Sequence, residues 1–547
     1  MYLRTTKRKN KDGSHVVYYQ LAHNERNPAT GQTTAKVIHN FGRADQLDRE
    51  ALARLCHSIA RVCGLNVIDA PSDPLEGLTI DRSYNYGHIY AIEQMWERFG
   101  IGAVLRDIEK TKHLEVSYER ALFVMVANRL CEPLSKLGLW ERWLDKVYLP
   151  ECREVKLRQL YQAMDVLHES IEEIEKAVFY KTANLFNLEV DLIFYDTTTV
   201  SFSVDPYDLD EDDVRAFGHS KEGHWAPQVI VALAVTREGL PVKSWVFRGN
   251  TADVSTITQI RSDLRGWNLG RALFVSDSAM NSEENRKELS RACGKYVMAT
   301  RMASVKEVKE EVLSRKGRYT VVRDNMHVKE VVVGEGECRR RYFLCFNPSE
   351  ARRQQLHRAE VIEFLEQELS RHKHLDAKAR WAIDLLASHR YRRYLKVTKG
   401  GKIRLNKAAI RQAERYDGKW VLQTNDDTIG MEEAASSYKG LLAIERCFRT
   451  LKRTQIKISP VHHYKYERIV AHVKICVLSL LLERSMELLC GESWLRIKTE
   501  LETLQVTRFE TEKNSIFYRR NRPSQWAKSL LSRMQIPVPK EIIGIQA

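Results

Sequence analysis

Three carboxylates in this chain stand where the chemistry of a metal-bound phosphate would need them. Asp196 directly follows the apolar, β-rich run Val190-Asp191-Leu192-Ile193-Phe194-Tyr195 and precedes Thr197-Thr198-Thr199. Asp277 repeats the arrangement after Leu273-Phe274-Val275-Ser276. A carboxylate on or at the end of a buried strand is costly unless something compensates its charge. The plain alternative for either one alone is an Asp capping a turn at a strand end. The third carboxylate, Glu445, lies in Tyr438–Lys452, which reads as a helix. Tyr438 precedes Glu445 by seven residues and Lys452 follows it by seven. Seven residues come within about 20° of two full helical turns. Tyr438, Glu445 and Lys452 should therefore line one stripe, with Arg449 one turn beyond Glu445. On such a stripe the carboxylate can take a metal ion while the phenol and the two cations grip phosphate oxygens. The alternative is a solvent-facing helix with an i, i+4 Glu–Arg pair.

The elements that must position these groups can be read along the chain. Residues 1–70 read as a basic, DNA-binding β-hairpin plus a helix. Residues 1–64 hold 11 Lys and Arg against 5 Asp and Glu. Val16–Leu21 and Thr33–Ile38 are strand-like, Asn27–Gly31 carries turn chemistry, and a helix fits Asp48–Val62. Pro71-Ser72-Asp73-Pro74 reads as a linker. Residues 71–188 are expected to be a helical DNA-binding region, with Ile89, Ile92, Met95 and Trp96 recurring at three and four. From 189 to 300 the texture changes to strands at Val190–Tyr195, Val229–Val235, Val242–Phe247, Ala272–Val275 and Lys295–Ala299, with a helix over Ser255–Leu264. That order describes a mixed α/β sheet rather than a pure βαβ repeat. Residues 301–425 interrupt it with short strands, a charged helix from Ser349 to about His372, and a turn and strand at Tyr416–Thr424. They read as an inserted domain. Residues 426–490 supply closing helices, and 491–547 a C-terminal helical region.

Composition bounds the function. The 547 residues carry 87 Lys and Arg against 72 Asp and Glu, a formal charge of +15, which fits either a polyanionic partner or plain solubility. Hydrophobic residues make up 43%, ordinary for a globular chain. No apolar segment follows the basic N-terminus, and the most apolar stretch, Ile475–Leu482, is too short to span a bilayer. The chain therefore reads as cytoplasmic, with no membrane partner. Ten cysteines are dispersed with no C-x-x-C pair, so neither disulfides nor structural zinc are expected.

The pattern Tyr438, six residues, Glu445, six residues, Lys452, with one Asp on a strand and another after a later strand, resembles the DDE transposases of bacterial insertion sequences. More narrowly it is similar to the insertion-sequence-four group, with its signature Y-x₂-R-x₃-E-x₆-K. Gly218-His219-Ser220-Lys221, Gly239-Leu240-Pro241, Gly249-Asn250-Thr251-Ala252-Asp253 and Pro460-Val461-His462-His463 agree with it. The resemblance covers roughly 190–480. The signature's Arg falls on Leu441, so any phosphate contact it makes must be absent or come from a neighbour such as Lys439 or Arg446. The resemblance implies an α/β, ribonuclease-H-like mixed-sheet core interrupted by an inserted domain. It puts Asp196 on the first strand, Asp277 beside it after the fourth, and Glu445 on the closing helix.

It also implies a function. Asp196, Asp277 and Glu445 would be catalytic and would ligate two Mg²⁺ or Mn²⁺ ions, because two metals about 3.5–4 Å apart can activate the attacking oxygen and stabilise the phosphorane and the leaving oxygen. The enzyme would cut at the inverted repeats of its own element and join the 3′-OH ends to target DNA, as a homodimer on the DNA. Tyr438, Arg449, Lys452, Lys221 and Arg453 are the expected DNA contacts. Residues 446–474 hold eight Lys and Arg and one acid, Glu467, which beside the carboxylates suggests a phosphate-contacting surface. The rival readings are a nuclease of the same fold without strand transfer and a catalytically silent DNA-binding relative. Three further signals are weaker. His462, His463, His472 and Cys476 fit no standard zinc spacing and read as packing or phosphate contacts. The acidic run Asp205–Asp213 reads as a solvated loop. Trp420 reads as a strand tryptophan that a flipped base could stack on.

Overall fold

The computed structural model of the chain describes all residues except 11–14, 27, 29–30, 65–77, 114–116, 187, 189, 205–209, 211–212, 270–271, 337–338, 373–379, 512–514 and 547. The expected linker at 71–74, and parts of the expected turn at 27–31 and of the acidic run at 205–213, lie outside the described residues. Two compact units are present: Met1–Thr79 with Glu510–Ser515, and the remainder.

The first unit is a three-stranded antiparallel sheet, β1 (Tyr2–Lys9), β2 (His15–Arg26) and β3 (Thr33–Arg43), followed by the helix Arg49–Val62. The Asp48 carboxylate caps that helix by accepting from the Ala51 N–H at 2.9 Å. The sequence suggests a two-stranded hairpin. The basic N-terminus is instead a third strand, paired with β2 from Tyr2↔Ala22 to Lys9↔His15. Its Lys and Arg side chains are those expected on an exposed edge strand, whose pairing is made by backbone groups.

The strand β4 (Leu78–Asn85) leads into the second unit, which starts at Ile80 and continues in the helices Gly87–Arg98, Ile101–Thr111, Glu119–Cys131, Leu157–Glu169 and Ile171–Phe186. Ile89, Ile92, Met95 and Trp96 are all buried, as their spacing requires. Then come β5 (Leu192–Ser201), β6 (Ala216–His219), β7 (Trp225–Val235), β8 (Pro241–Arg248), β9 (Leu273–Ser276) and β10 (Tyr296–Thr300). β7 lies antiparallel between β8 and β5, β9 runs parallel to β5, and β10 parallel to β9. The order β8-β7-β5-β9-β10, with only the second strand reversed, is the ribonuclease-H-like arrangement. The short β6 pairs with the start of β7.

Residues 301–425, expected as an inserted domain, also extend the core sheet. β11 (Thr320–Arg323), β12 (Met326–Val333) and β13 (Arg340–Phe346) come before β14 (Leu395–Val397), β15 (Ile403–Leu405) and β16 (Lys419–Thr424). β16 pairs antiparallel with β10, and β13, β12 and β11 follow outward, so the core sheet grows to ten strands. The open edge of β10 is the reason: its backbone groups need partners, and the returning chain supplies them. The segment also builds two small cores of its own, one around Val308, Val312, Tyr342 and Leu344 beneath the added strands, and one around Val361, Leu365, Leu385 and Tyr394, from the helix Pro348–Arg371 and the segment around the β14–β15 hairpin. The C-terminal region, expected to be helical, also contains β17 (Gln505–Thr511), β18 (Ile516–Arg520) and β19 (Ile542–Gln546), in a sheet ordered β19-β18-β17-β4.

One helix ties the sheet to the N-terminal helices. Along Tyr466–Cys490, Ile469, Val473, Cys476 and Leu480 pack in the core beneath the sheet, while Ala471, Ile475, Leu478, Leu482 and Met486 pack among the helices. A helix apolar on every side is a buried helix. Its Lys474 was expected at a DNA surface; it is instead 5% exposed and ion-paired with Glu175 at 2.8 Å, and it donates to the Ser244 carbonyl at 2.6 Å. Glu175 also accepts from the Ser244 hydroxyl at 2.9 Å, so one buried pair clamps two helices to β8. Removing one partner of such a pair strands a buried charge. Glu175→Ala should therefore cost about 3–5 kcal/mol, read as a lowered urea midpoint; a shift no larger than that of an exposed Glu→Ala control would contradict the clamp.

The segment carrying Tyr438 and Glu445 is not one continuous helix. Met431–Lys439 ends at Gly440, Leu442–Arg449 follows, and Thr450–Thr454 loosens into a π-turn. A Cβ on Gly440 would overlap the Phe194 ring of β5, so only glycine lets the bend press against the strand. Gly440→Ala should cost about 1–3 kcal/mol through that overlap, and Phe194→Leu should recover part of it. Thermal unfolding of the single and double variants tests this, and a double variant less stable than the sum of the single losses would count against the contact.

Candidate active site

Register brings two of the three carboxylates together. β5 and β9 pair in parallel with Tyr195 opposite Ser276, so Asp196, midway along β5, and Asp277, just past the end of β9, stand at the same level. Adjacent strands lie about 4.8 Å apart. Side chains alternate, which puts Asp196 on the face of Leu192 and Phe194, and Asp277 on the face of Leu273 and Val275. Those four apolar residues share the core that the closing helices cover, with Leu441, Ile444 and Phe448. The same helices carry Tyr438 and Glu445. All four groups, Asp196, Asp277, Tyr438 and Glu445, line one cavity of about 450 Å³.

Each acid has distinct surroundings. Asp196 accepts from the Thr197 N–H at 2.7 Å, and the Lys221 ammonium lies 3.6 Å away. Burial pushes its carboxyl above the usual range, against the pull of Lys221 and the Thr197 N–H; Asp277 and Asp253 add to the rise. Asp277 opens the short turn Ser278–Met280 but makes no side-chain cap bond, so its carboxylate is left facing the cavity. There it accepts from the Tyr438 hydroxyl at 3.3 Å. Burial first, then Asp277 and Glu445, holds that phenol in its protonated form. Glu445 is exposed on the opposite wall. Among the described residues no three His, Cys, Asp or Glu side chains form a closed metal-ligating cluster.

The expected DNA contacts divide. Lys452 leans on β5: its ammonium is 3.5 Å from the Thr198 hydroxyl and 2.8 Å from a Glu222 oxygen. Thr198 is the same-face neighbour of Asp196 two residues along, so Lys452 does stand beside the carboxylates, but ion-paired. Arg449 and Arg453 are exposed. Lys221 turns inward. Its ammonium donates to the Thr197 carbonyl at 2.6 Å and hydroxyl at 2.7 Å, and lies 3.5 Å from Asp253. The Thr197 hydroxyl in turn donates to Asp253 at 2.7 Å. Of the two substitutes weighed for the missing signature Arg, Lys439 lines the cavity, as does Leu441 itself; Arg446 is exposed.

Sequence reasoning missed the second wall. Asn347, Glu350, Gln354 and Lys419 line the cavity beside Trp420, the one of the five that the sequence had singled out, and all come from 301–425. Gly418 makes this possible: its left-handed backbone (φ +64°) lets it approach Asn347 and Ala351, and its N–H donates to Gln354 at 2.9 Å. The Tyr416–Trp420 turn was visible in the sequence; its place opposite Asp196 was not. Asp253 was also overlooked, although its motif was noted.

The family described as "IS1634 family transposase, N-terminal domain" matches residues 3–70, and "Transposase DDE domain" matches residues 203–482, a span that includes Asp277 and Glu445 and begins just after Asp196. No curated protein matches. Six chains of solved structures do; one, from a cryo-EM structure of a piggyBac transposase synaptic complex with hairpin DNA, aligns at a TM-score of 0.37 and 9% identity over 76% of this chain and 80% of that one. The DDE match spans just over half of the residues, and the chain belongs to the DDE transposases.

Proposed function

We propose that this transposase cuts the phosphodiester bonds at the ends of its mobile element and joins the freed 3′-OH ends to target DNA, using Asp196, Asp277 and Glu445 as metal ligands. The observation that carries the reading is the side-by-side placement of Asp196 and Asp277 by two parallel strands on a cavity faced by Tyr438 and Glu445. Dependence on a divalent metal comes with the DDE domain. The donors fit a hard cation: they are oxygens only, and Asp196 is forced toward its protonated form beside Asp277, a situation a cation relieves. Two ions, Mg²⁺ or Mn²⁺, are proposed; when bound they supply charge neutralisation on the phosphate and activation of the attacking oxygen.

The protein's own groups do the rest. Tyr438, held protonated, donates a hydrogen bond into the site and keeps Asp277 oriented. Lys221 fixes Asp196 and Asp253 rather than DNA. Lys452, Arg449, Arg453 and Lys439 are cations within reach of phosphates flanking the cut. The unit containing residues 1–70 reads the element ends, and two copies act together on DNA. Strand transfer from a pre-cut end distinguishes this reading from a nuclease that only hydrolyses.

Asp196→Asn, Asp277→Asn and Glu445→Gln should each slow metal-dependent cleavage of end DNA by about a thousandfold or more, about 4 kcal/mol of barrier, with DNA binding retained in a gel shift. Near-wild-type cleavage by any one of them removes that residue from the site.

The Lys452–Glu222 pair makes a two-sided test. Phosphate must compete with Glu222 for the ammonium. Lys452→Ala should weaken binding and lower the salt slope by about one, whereas Glu222→Gln should tighten binding. Both variants should need the wild-type metal concentration for half-maximal cleavage. Equal and same-signed effects on binding would show that the pair serves structure alone.

A further inference from the structure

A second cavity, of about 510 Å³, shares no lining residue with the carboxylate site. Its walls come from the N-terminal helices and from the 460–472 segment that contains the histidines singled out in the sequence. Lys136 and Arg129 reach it while only 4% and 6% exposed. Neither has a carboxylate partner among the described contacts. Arg129 donates to the Lys457 carbonyl at 3.1 Å, and the Lys136 ammonium lies 3.1 Å from His472 Nδ1. His472 is itself buried, and its Nε2 is 2.9 Å from the Ile458 carbonyl, which can only accept. Nε2 therefore carries the proton, and Nδ1 is a neutral acceptor for Lys136. The carboxylate bonded to a cation of this cavity, Asp165, is taken by Arg468 at 2.8 and 2.9 Å.

Two buried cations facing an acid-free cavity are costly unless an anion supplies the missing charge. Burial and Arg129 lower the Lys136 ammonium to about 7, a measure of how poorly it is compensated. We infer that this cavity binds a phosphate group, gripped by Lys136 and Arg129 and flanked at its mouth by Lys465 and Arg468, and that the phosphate belongs to a DNA strand. The source follows from continuity. The loop forming the wall directly follows the helical segment that carries Glu445 and Lys452, and it is anchored beside the cavity by Gln455, which donates to the Leu130 carbonyl at 2.7 Å. The inference rests on the transposase reading for its DNA.

The test is binding of an end duplex by the full chain over a salt series, read by fluorescence anisotropy. Lys136→Met should leave the free protein at least as heat-stable as wild type, weaken binding about tenfold at physiological salt, and lower the salt slope by about one. Arg129→Gln should act in the same direction and serves if Lys136→Met does not fold. A folded variant with wild-type affinity and slope overturns the inference. Inorganic phosphate provides the second arm: if phosphate alone stabilises the wild type, Lys136→Met abolishes that effect, and the DNA slope is unchanged, the site takes a free anion and the DNA assignment fails. Asp196→Asn should keep the full slope while losing cleavage, so failure of the catalytic reading and failure of this one are separately visible.

Discussion

The parallel pairing of β5 with β9 places two carboxylates of like charge on neighbouring strands, in a partly buried setting. Asp196 responds as a buried acid beside another acid must: its protonated form is favoured. Lys221 offsets the charge only from 3.6 Å, with its ammonium shared among Thr197 and Asp253. An arrangement that holds acids together at such a cost is best understood as made for a cation. Most of the surrounding architecture can be read as the means of keeping that register.

The clamp works from one face of the sheet and from its edge. Beneath it, the bend at Gly440 lets Tyr438 and Glu445 approach β5, and the long helix Tyr466–Cys490 locks the closing segment to the N-terminal helices through two separate apolar faces. The buried Lys474–Glu175 pair fixes the angle between those layers and β8. Beyond the edge of the core, β16 extends the sheet from β10, and its Trp420 and Lys419 reach the cavity. The segment that interrupts the core thus also walls its site.

What was legible in the sequence was local. Asp196 and Asp277 stood out because each ends a dense apolar strand run, and Glu445 because seven-residue spacing survives a break in the helix. The break itself was not legible, since it depends on how closely Gly440 meets a phenylalanine 246 residues earlier. The same holds for Lys221, whose exposed-looking motif gave no sign that Asp196 and Asp253 would hold it. β1 and β17 to β19 escaped notice because a charged or mixed strand declares itself through its backbone partner rather than its own pattern. The extension by β11–β13 and β16 could not be told from a separate domain, because sequence periodicity says which residues form strands and not which edges they join.

The central claim is that Asp196, Asp277 and Glu445 surround one metal site. Iron-mediated cleavage tests it directly: Fe²⁺ is substituted for Mg²⁺ in the DNA-bound protein, ascorbate and peroxide are added, and the broken chain is mapped by mass spectrometry. Cuts clustered near residue 196 in β5, near residue 277 after β9 and on the helix near 445, all suppressed by excess Mg²⁺, are the predicted result. Cuts near only one of these segments, or at none of them, would contradict a shared site.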